Sequence, residues 1–287
     1  MLNDPDRFRV PFGPEWTAMG DGRNSVLGMD GPTHARQRAL FEEIMGRRHW
    51  HLDKIRISTK AAEVARGLIE EADGGLDVVA DVFQRTITEV CVDYLGLEAP
   101  DRAAFADWLI SKTWLTFGDP TGVPEVRARA MQGARLARSV IEHSLEVATH
   151  RPSGDTLANR LLDLEAKGRL DRDESIAILD GAAGGLVPTT TLCMTRLFCE
   201  LMRHPHWWNE AKALACTLSG RTGTQEDSLL KDRTRLQDIL LEAARLAPTL
   251  YPGQFRWVAT AGVIAKGTLR AAAVKPGEVL MVATHLN

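Results

Sequence analysis

Apolar and polar positions recur along most of this chain with the three-to-four-residue period of an amphipathic helix. The clearest stretch runs through Val126, Ala130, Met131, Ala134, Ala137, Ile141 and Leu145, with Arg127, Arg129, Arg135 and Arg138 between them. The simplest reading of those arginines is a solvated face. The same period predicts helices over Arg36–Met45, Lys54–Glu71, Val78–Leu95, Ala103–Phe117, Asp155–Ala166, Glu174–Arg203, Trp207–Leu218 and Leu236–Leu246. Turn-forming clusters separate them at Asp119-Pro120, Arg151–Gly154, Gly168 and Ser219–Gly223. After Pro252 the pattern shifts. Phe255–Thr260, Val263–Ile264, Leu269–Val274 and Val279–Thr284 are short β-leaning runs broken by Gly262, Gly267 and Gly277. The pattern predicts a mainly α fold with a small β-sheet near the C-terminus, without internal repeats.

Composition narrows the function classes. The chain has 287 residues, 35 Lys+Arg against 38 Asp+Glu, a formal net charge of −3, and 44% hydrophobic residues. That is the composition of a globular protein with a substantial core, and it lacks the basic surplus of a nucleic-acid binder. Cys91, Cys193, Cys199 and Cys216 form no C-x-x-C pair, so zinc, thioredoxin-like and disulfide-framework readings have no support. The charged N-terminal stretch has no apolar core of a signal peptide. The longest charge-free stretch, Gly181–Thr195, is shorter than the ~18 apolar residues of a membrane span. The expected compartment is the cytoplasm, with no membrane and no nucleic acid among its partners.

Four constellations are candidates for chemistry. In Gly31–Arg38, Pro32 and Thr33 suit a helix start and place His34 and Arg38 one turn apart on one face. Two cations so spaced fit a carboxylate or phosphate, although an exposed basic turn has the same spacing. In Gly181–Thr191 a helix meets Gly184, Gly185 and then Pro188, whose ring and missing N–H predict a kink or a widened turn. That opened turn suits either a ligand or tight helix packing. Glu242 and Arg245, three apart in an apolar neighbourhood, predict a partly buried ion pair that belongs to a network. Arg256, between Phe255 and Trp257, is the fourth, and gains meaning only by association with the others.

Taken in order, these segments resemble the haem-thiolate monooxygenases, the cytochrome P450 superfamily, in its soluble bacterial form. The resemblance covers essentially the whole chain. Asn3–Phe8 is similar to the segment before that family's substrate-covering loop, and Met29–Arg38 to the start of its C helix. Glu89–Leu97, then Gly154–Leu157, Gly168–Leu170 and Glu174, follow its run into the long central helix, and Leu201–Pro205 resembles that helix's end. Glu242 and Arg245 stand where the family's K helix carries E-x-x-R, and Val274–Gly277 resembles the turn that follows. The resemblance implies a P450-like fold spanning roughly the B to K helices, as a single partial domain over residues 1–287. It implies haem b, with propionates held by His34, Arg38 and Arg256, Gly185 beside the ring, and Thr189 as the catalytic alcohol of the distal side. It further implies a small apolar substrate and a ferredoxin- or reductase-type redox partner. Trp16, Trp114 and Phe117 are candidates to line an apolar pocket, with core packing as the alternative.

Three departures accompany the resemblance. Pro188 stands where the family has the acid that precedes the threonine, and proline neither donates nor accepts a proton. The family's proximal cysteine loop has no counterpart up to Ala283–Asn287, and the four cysteines present lie in other helices, as packing residues. The family's first strands and helix, expected before Asn3, are missing as well. The expectation is therefore an incomplete fold, truncated at both ends. Three readings remain open: a haem-dependent monooxygenase in an incomplete chain, a haem-free P450-like scaffold that helps a partner enzyme, and a nonfunctional gene fragment.

Overall fold

The computed structural model describes residues 4–119, 121–151, 154–220, 226–250 and 253–282. The expectations placed on Asn3, Pro120, the Gly223 end of its turn, Pro252 and Ala283–Asn287 fall outside those residues. Among the described residues the chain forms β1 (Phe8–Arg9), α1 (Gly13–Met19), a 3-10 turn (Val26–Gly28), α2 (Gly31–Met45) and α3 (Arg47–Glu70). A π-helical stretch (Val78–Gln84) leads into α4 (Arg85–Leu95), followed by α5 (Arg102–Phe117), α6 (Pro124–Thr149) and α7 (Leu157–Ala166). Then come α8 (Arg172–Arg203), α9 (Pro205–Gly220), α10 (Glu226–Leu246), β2 (Gln254–Val258), β3 (Gly262–Ile264), β4 (Ala272–Val274) and β5 (Val279–Val282). The mainly helical fold with a small sheet is thus what the pattern predicted. The chain divides into two compact units, residues up to Pro188 with Phe255–Val282, and Thr189–Gln254.

In the first unit the small residues of α6 explain its packing. Ala130, Gly133, Ala134, Ala137, Ile141 and Leu145 are buried on one stripe. A Cβ on Gly133 would stand 2.5 Å from Ser111 Oγ and 3.0 Å from the Trp108 carbonyl, so only glycine lets α5 come this close. The solvated-face reading of the α6 arginines holds for Arg127, Arg129 and Arg135 and fails for Arg138. Arg138 is buried, donates to the Met19 carbonyl and lies 3.3 Å from Asp21, because the end of α1 brings it an acceptor and a counter-charge. Within Phe12–Val26 lies α1, with Pro14 in its first turn and Trp16 and Met19 buried. The predicted helix over Val78–Leu95 is real but begins as a π-helix, where Asp77 accepts from the Val79 and Ala80 amides.

Behind these elements a second network fastens α3, α4 and α7. Arg160 Nη1 and Nη2 donate to the two oxygens of Asp53 at 2.8 and 2.7 Å, and Tyr94 Oη donates to the same carboxylate at 2.8 Å. Asp155 and the Ile44 carbonyl accept two further Arg160 hydrogen bonds, each at 2.8 Å. A capping box between Thr156 and Asn159 starts α7 and fixes Asp155 just ahead of it.

The sheet is small. β1, β2 and β5 form one sheet in the order β1-β2-β5, with β1 antiparallel to β2 in the register Phe8–Val258 and Arg9–Trp257, while β3 and β4 form a hairpin. Phe8, Val258 and Val274 make its buried side with Ile264 and Leu280 against them. In the second unit, Leu201 of α8, Ala211 of α9, and Ile239 and Ala243 of α10 form a core, joined by Leu197, Trp208, Leu214, Leu236 and Leu240. Arg196 reaches from α8 to the Pro248 carbonyl at 2.6 Å and so closes the chain after α10.

Candidate haem and substrate face

The candidate site begins at the N-terminus of α2. Gly31 has φ +63°, a left-handed conformation that turns the chain sharply into the helix, with Pro32 in its first turn. Asp30 at the N-cap does not cap its own helix. Its Oδ2 accepts instead from the Val10 amide at 3.0 Å, tying α2 to the residue after β1. Because Arg9 of β1 pairs with Trp257 of β2, this contact also brings Arg256 to the start of α2. Burial pushes the Arg256 guanidinium below its ordinary value, and the nearby Asp30 carboxylate opposes that shift. Arg256 Nη1 also donates to the Phe255 carbonyl at 2.7 Å.

The other side chains of the set differ in exposure. His34 is half-buried on α2, whereas Arg38, one turn on, is exposed and donates to Glu42 Oε1 at 2.8 Å. Arg36, which the sequence reading passed over, carries more of the architecture. It forms an ion pair with Glu174 at the start of α8 and donates to the Arg169 carbonyl at 3.0 Å. The pairing raises the Arg36 value and lowers that of Glu174, each mainly through their shared hydrogen bonds.

The helix α8 is continuous from Arg172 to Arg203 with Pro188 inside it. The physical reason lies in α5. Pro188 cannot donate to the Gly184 carbonyl four residues back, and Thr113 Oγ1 donates to that carbonyl instead, at 3.0 Å. One face of α8, comprising Asp180, Ala183, Gly184, Val187, Pro188 and Thr191, is buried. The other, comprising Ala182, Gly185, Leu186, Thr189, Thr190 and Cys193, is half-exposed. A Cβ on Gly184 would sit 3.5 Å from the Trp16 ring, while one on Gly185 would meet only Leu27, at 4.0 Å. Among the described residues, Gly185 thus has room for a close approach on the half-exposed face.

Behind the buried face stands a pair that sequence reasoning missed. Lys112 is fully buried, pairs with Asp180, and places Nζ 5.5 Å from the centroid of the Trp16 ring. Two opposite charges inside the apolar runs of α5 and α8 were the available signal. Trp16 is thus core, and so are its neighbours Met19, Leu115, Ala130 and Ala134. Trp114 is 57% exposed, and Phe117 packs edge-on against Phe12 at 5.1 Å.

His34, Arg38, Gly185 and Arg256 belong to the first unit, and Thr189, Glu242 and Arg245 to the second. Glu242 and Arg245 correct the sequence expectation of a partly buried network. They form a two-bond ion pair at 2.7 and 2.8 Å, with side chains 57% and 50% exposed. Ile239 and Ala243 occupy the core-facing side of α10, which turns Glu242 and Arg245 onto its flank.

Solved structures share this overall fold. The chain matches CalO2 with a TM-score of 0.72 and 18% identity, covering 98% of this chain and 66% of that one. It matches retinoic acid-bound cyanobacterial CYP120A1 with a TM-score of 0.75 and 16% identity, covering 98% and 63%. It matches epothilone B-bound cytochrome P450epoK with a TM-score of 0.71 and 18% identity, covering 97% and 66%. The chain has the cytochrome P450 fold. Curated P450 relatives agree in sequence. Cyclomarin C epoxidase CymV of Salinispora arenicola is 30% identical over 194 residues, 66% of this chain and 47% of the relative. Erythromycin C-12 hydroxylase of Saccharopolyspora erythraea is 24% identical over 212 residues, 71% of this chain and 51% of the relative. This P450-fold chain therefore spans about half the length of the curated relatives it matches. No family model matches it. By length and composition α8 is the one helix among the described residues apolar enough to cross a membrane. In the P450 fold it is a core helix, with 61% of its most apolar window buried.

Proposed function

We propose that this chain carries the propionate-binding and distal side of a haem-dependent monooxygenase that oxidises a small apolar organic molecule. The observation that carries the reading is the convergence of Arg256 on the Asp30 end of α2, one turn from His34. The residues fit the group in two respects. His34, Arg38 and Arg256 are cationic or hydrogen-bonding donors suited to two carboxylates. Gly185 leaves the α8 face open where a side chain would otherwise fill it. Haem, when bound, supplies the oxygen-activating redox chemistry, and its axial ligand and surroundings set its reactivity.

In this reading His34 and Arg256 hold and orient the cofactor's carboxylates, and Arg38 joins them by exchanging its Glu42 partner for a propionate. Thr189 holds a hydroxyl on the half-exposed face of α8, where it serves proton delivery. Ala182 and Leu186 on the same face favour an apolar substrate. The two curated relatives, an epoxidase and a hydroxylase, support oxygen insertion as the reaction class. The reducing equivalents come from a ferredoxin- or reductase-type partner, in the cytoplasm. A second reading, a haem-free P450-like scaffold for a partner enzyme, rests on Pro188. Proline in place of the acid removes one proton-handling group from the distal helix.

Haem titration separates the two readings. The chain binds haem with a Soret shift, and His34→Ala and Arg256→Ala each weaken binding about tenfold, the effect of losing one charge-assisted hydrogen bond. Absence of a Soret shift favours the scaffold. Binding that is indifferent to both substitutions overturns the assignment of these residues. The reduced carbon-monoxide difference spectrum then reports the axial ligand. Cys91, Cys193, Cys199 and Cys216 all lie on helices α4, α8 and α9, away from the propionate cations in sequence, so a thiolate-type band is not expected from these residues.

A further inference from the structure

Among the described residues, two of the buried polar atoms without a hydrogen-bond partner belong to residues that line one cavity of the first unit. They are Trp16 Nε1 on α1 and Ser25 Oγ in the α1–α2 connection, each residue 3% exposed. The cavity also touches Arg23, Asn24, Arg138, Ile176, Ala177 and Asp180, and has a volume of about 10 Å³. Leaving a buried N–H or hydroxyl unsatisfied is costly, so two beside one cavity call for a shared partner.

We infer that Trp16 Nε1, Ser25 Oγ and the Asp180 carboxylate together bind one internal water molecule. The ligand's chemistry follows from the wall. Arg23 is matched by Asp173 at 2.7 Å, Arg138 by Asp21 at 3.3 Å, and Asp180 by Lys112, so the wall is charge-balanced and suits a neutral guest. Asn24 is already engaged, donating to Thr17 Oγ1 at 3.1 Å and to the Gly28 carbonyl at 3.0 Å and accepting from the Ser25 amide at 2.8 Å. What remains is a donor at Trp16, an acceptor at Asp180 and a hydroxyl at Ser25 that does either. A guest must therefore accept one hydrogen bond and donate one or two. The volume admits a single water and nothing larger.

The water has a defined task. It joins α1 and the α1–α2 connection to α8 beside the Lys112–Asp180 pair. Direct side-chain contact cannot replace it there, because Ser25 already presses on Gly181, whose Cβ would stand 2.6 Å from that of Ser25. The strap formed by α1 is thereby held against Gly184 through a molecule that the chain itself does not supply.

The test uses the ¹⁵N-labelled 287-residue chain and water-selective NMR. Trp16→Phe, which keeps the ring over Lys112, assigns the Trp16 indole resonance by its disappearance. The wild-type indole N–H gives water cross-peaks of opposite sign in NOE and ROE experiments, the signature of water bound longer than the protein tumbles. Ser25→Ala removes one partner and speeds exchange of that indole proton about tenfold, with the other indole resonances unmoved. No cross-peak at Trp16, or a cross-peak and exchange rate untouched by Ser25→Ala, overturns the assignment. If Trp16→Phe does not fold, Ser25→Ala identifies the resonance by its selective shift.

Discussion

Thr113→Val is the sharpest perturbation the structure offers. In an ordinary helix the Gly184 carbonyl accepts from residue 188, and here Pro188 has no N–H to give. Thr113 Oγ1 fills the gap at 3.0 Å from another helix. Valine keeps the shape of threonine and removes the donor, leaving a buried carbonyl short of its partner, at a cost of about 1–3 kcal/mol. The informative measurement is a double-mutant cycle with Pro188→Ala. Alanine restores the N–H, so Gly184 regains its intrahelical bond and Thr113 becomes redundant. Thr113→Val is then expected to cost ~1 kcal/mol less in the Pro188→Ala background, a coupling typical of directly interacting groups. Urea unfolding followed by circular dichroism, compared at constant slope, gives both costs. Equal costs in the two backgrounds would refute the compensation, as would a neutral Thr113→Val in the wild type.

Further outcomes follow from the buried groups. Asp53→Asn leaves Arg160 buried with only Asp155 as a counter-charge, and is expected to destabilise by about 3–5 kcal/mol in thermal or urea unfolding. Burial raises the Asp53 value, but the hydrogen bonds from Arg160 and Tyr94 outweigh it and the net shift is downward. Its folded value lies below its unfolded one, so the contribution is complete above the ordinary carboxylate range and disappears as the pH falls through the depressed folded value. A stability profile that is flat across that acid range in the wild type, or equally steep in Asp53→Asn, contradicts this. Cys91 is completely buried, and burial pushes its thiol up to about 12, so thiol reagents should modify exposed Cys199 and Cys216 in the native protein and Cys91 only on unfolding. Gly181→Ala would place a Cβ 2.6 Å from Ser25 Cβ, and overpacking of this kind costs roughly 1–3 kcal/mol, measurable as a lowered melting temperature.

Most of the helices were legible from hydrophobic period alone, because each buries one stripe and the period of that stripe is local information. Pro32 and Thr33 announced the start of α2, and the glycine-punctuated tail announced the strands, for the same reason. The order of segments sufficed for the family resemblance. Charges were less legible. Arg138 reads like its neighbours on α6, yet Met19 and Asp21, more than a hundred residues away in sequence, decide that it is buried. Glu242 and Arg245 sit among leucines in sequence and on an exposed flank in space, since the rotation of α10 about its axis is set by Ile239 and Ala243. Pro188 predicts a helix carbonyl without its usual donor, and which group takes the donor's place, Thr113 of α5, is not local information. What the sequence determined by itself was the set of elements, since period and turn chemistry act within a few residues. What only the tertiary structure decided was which polar groups find partners, since a buried charge or carbonyl is satisfied by whatever the fold brings to it.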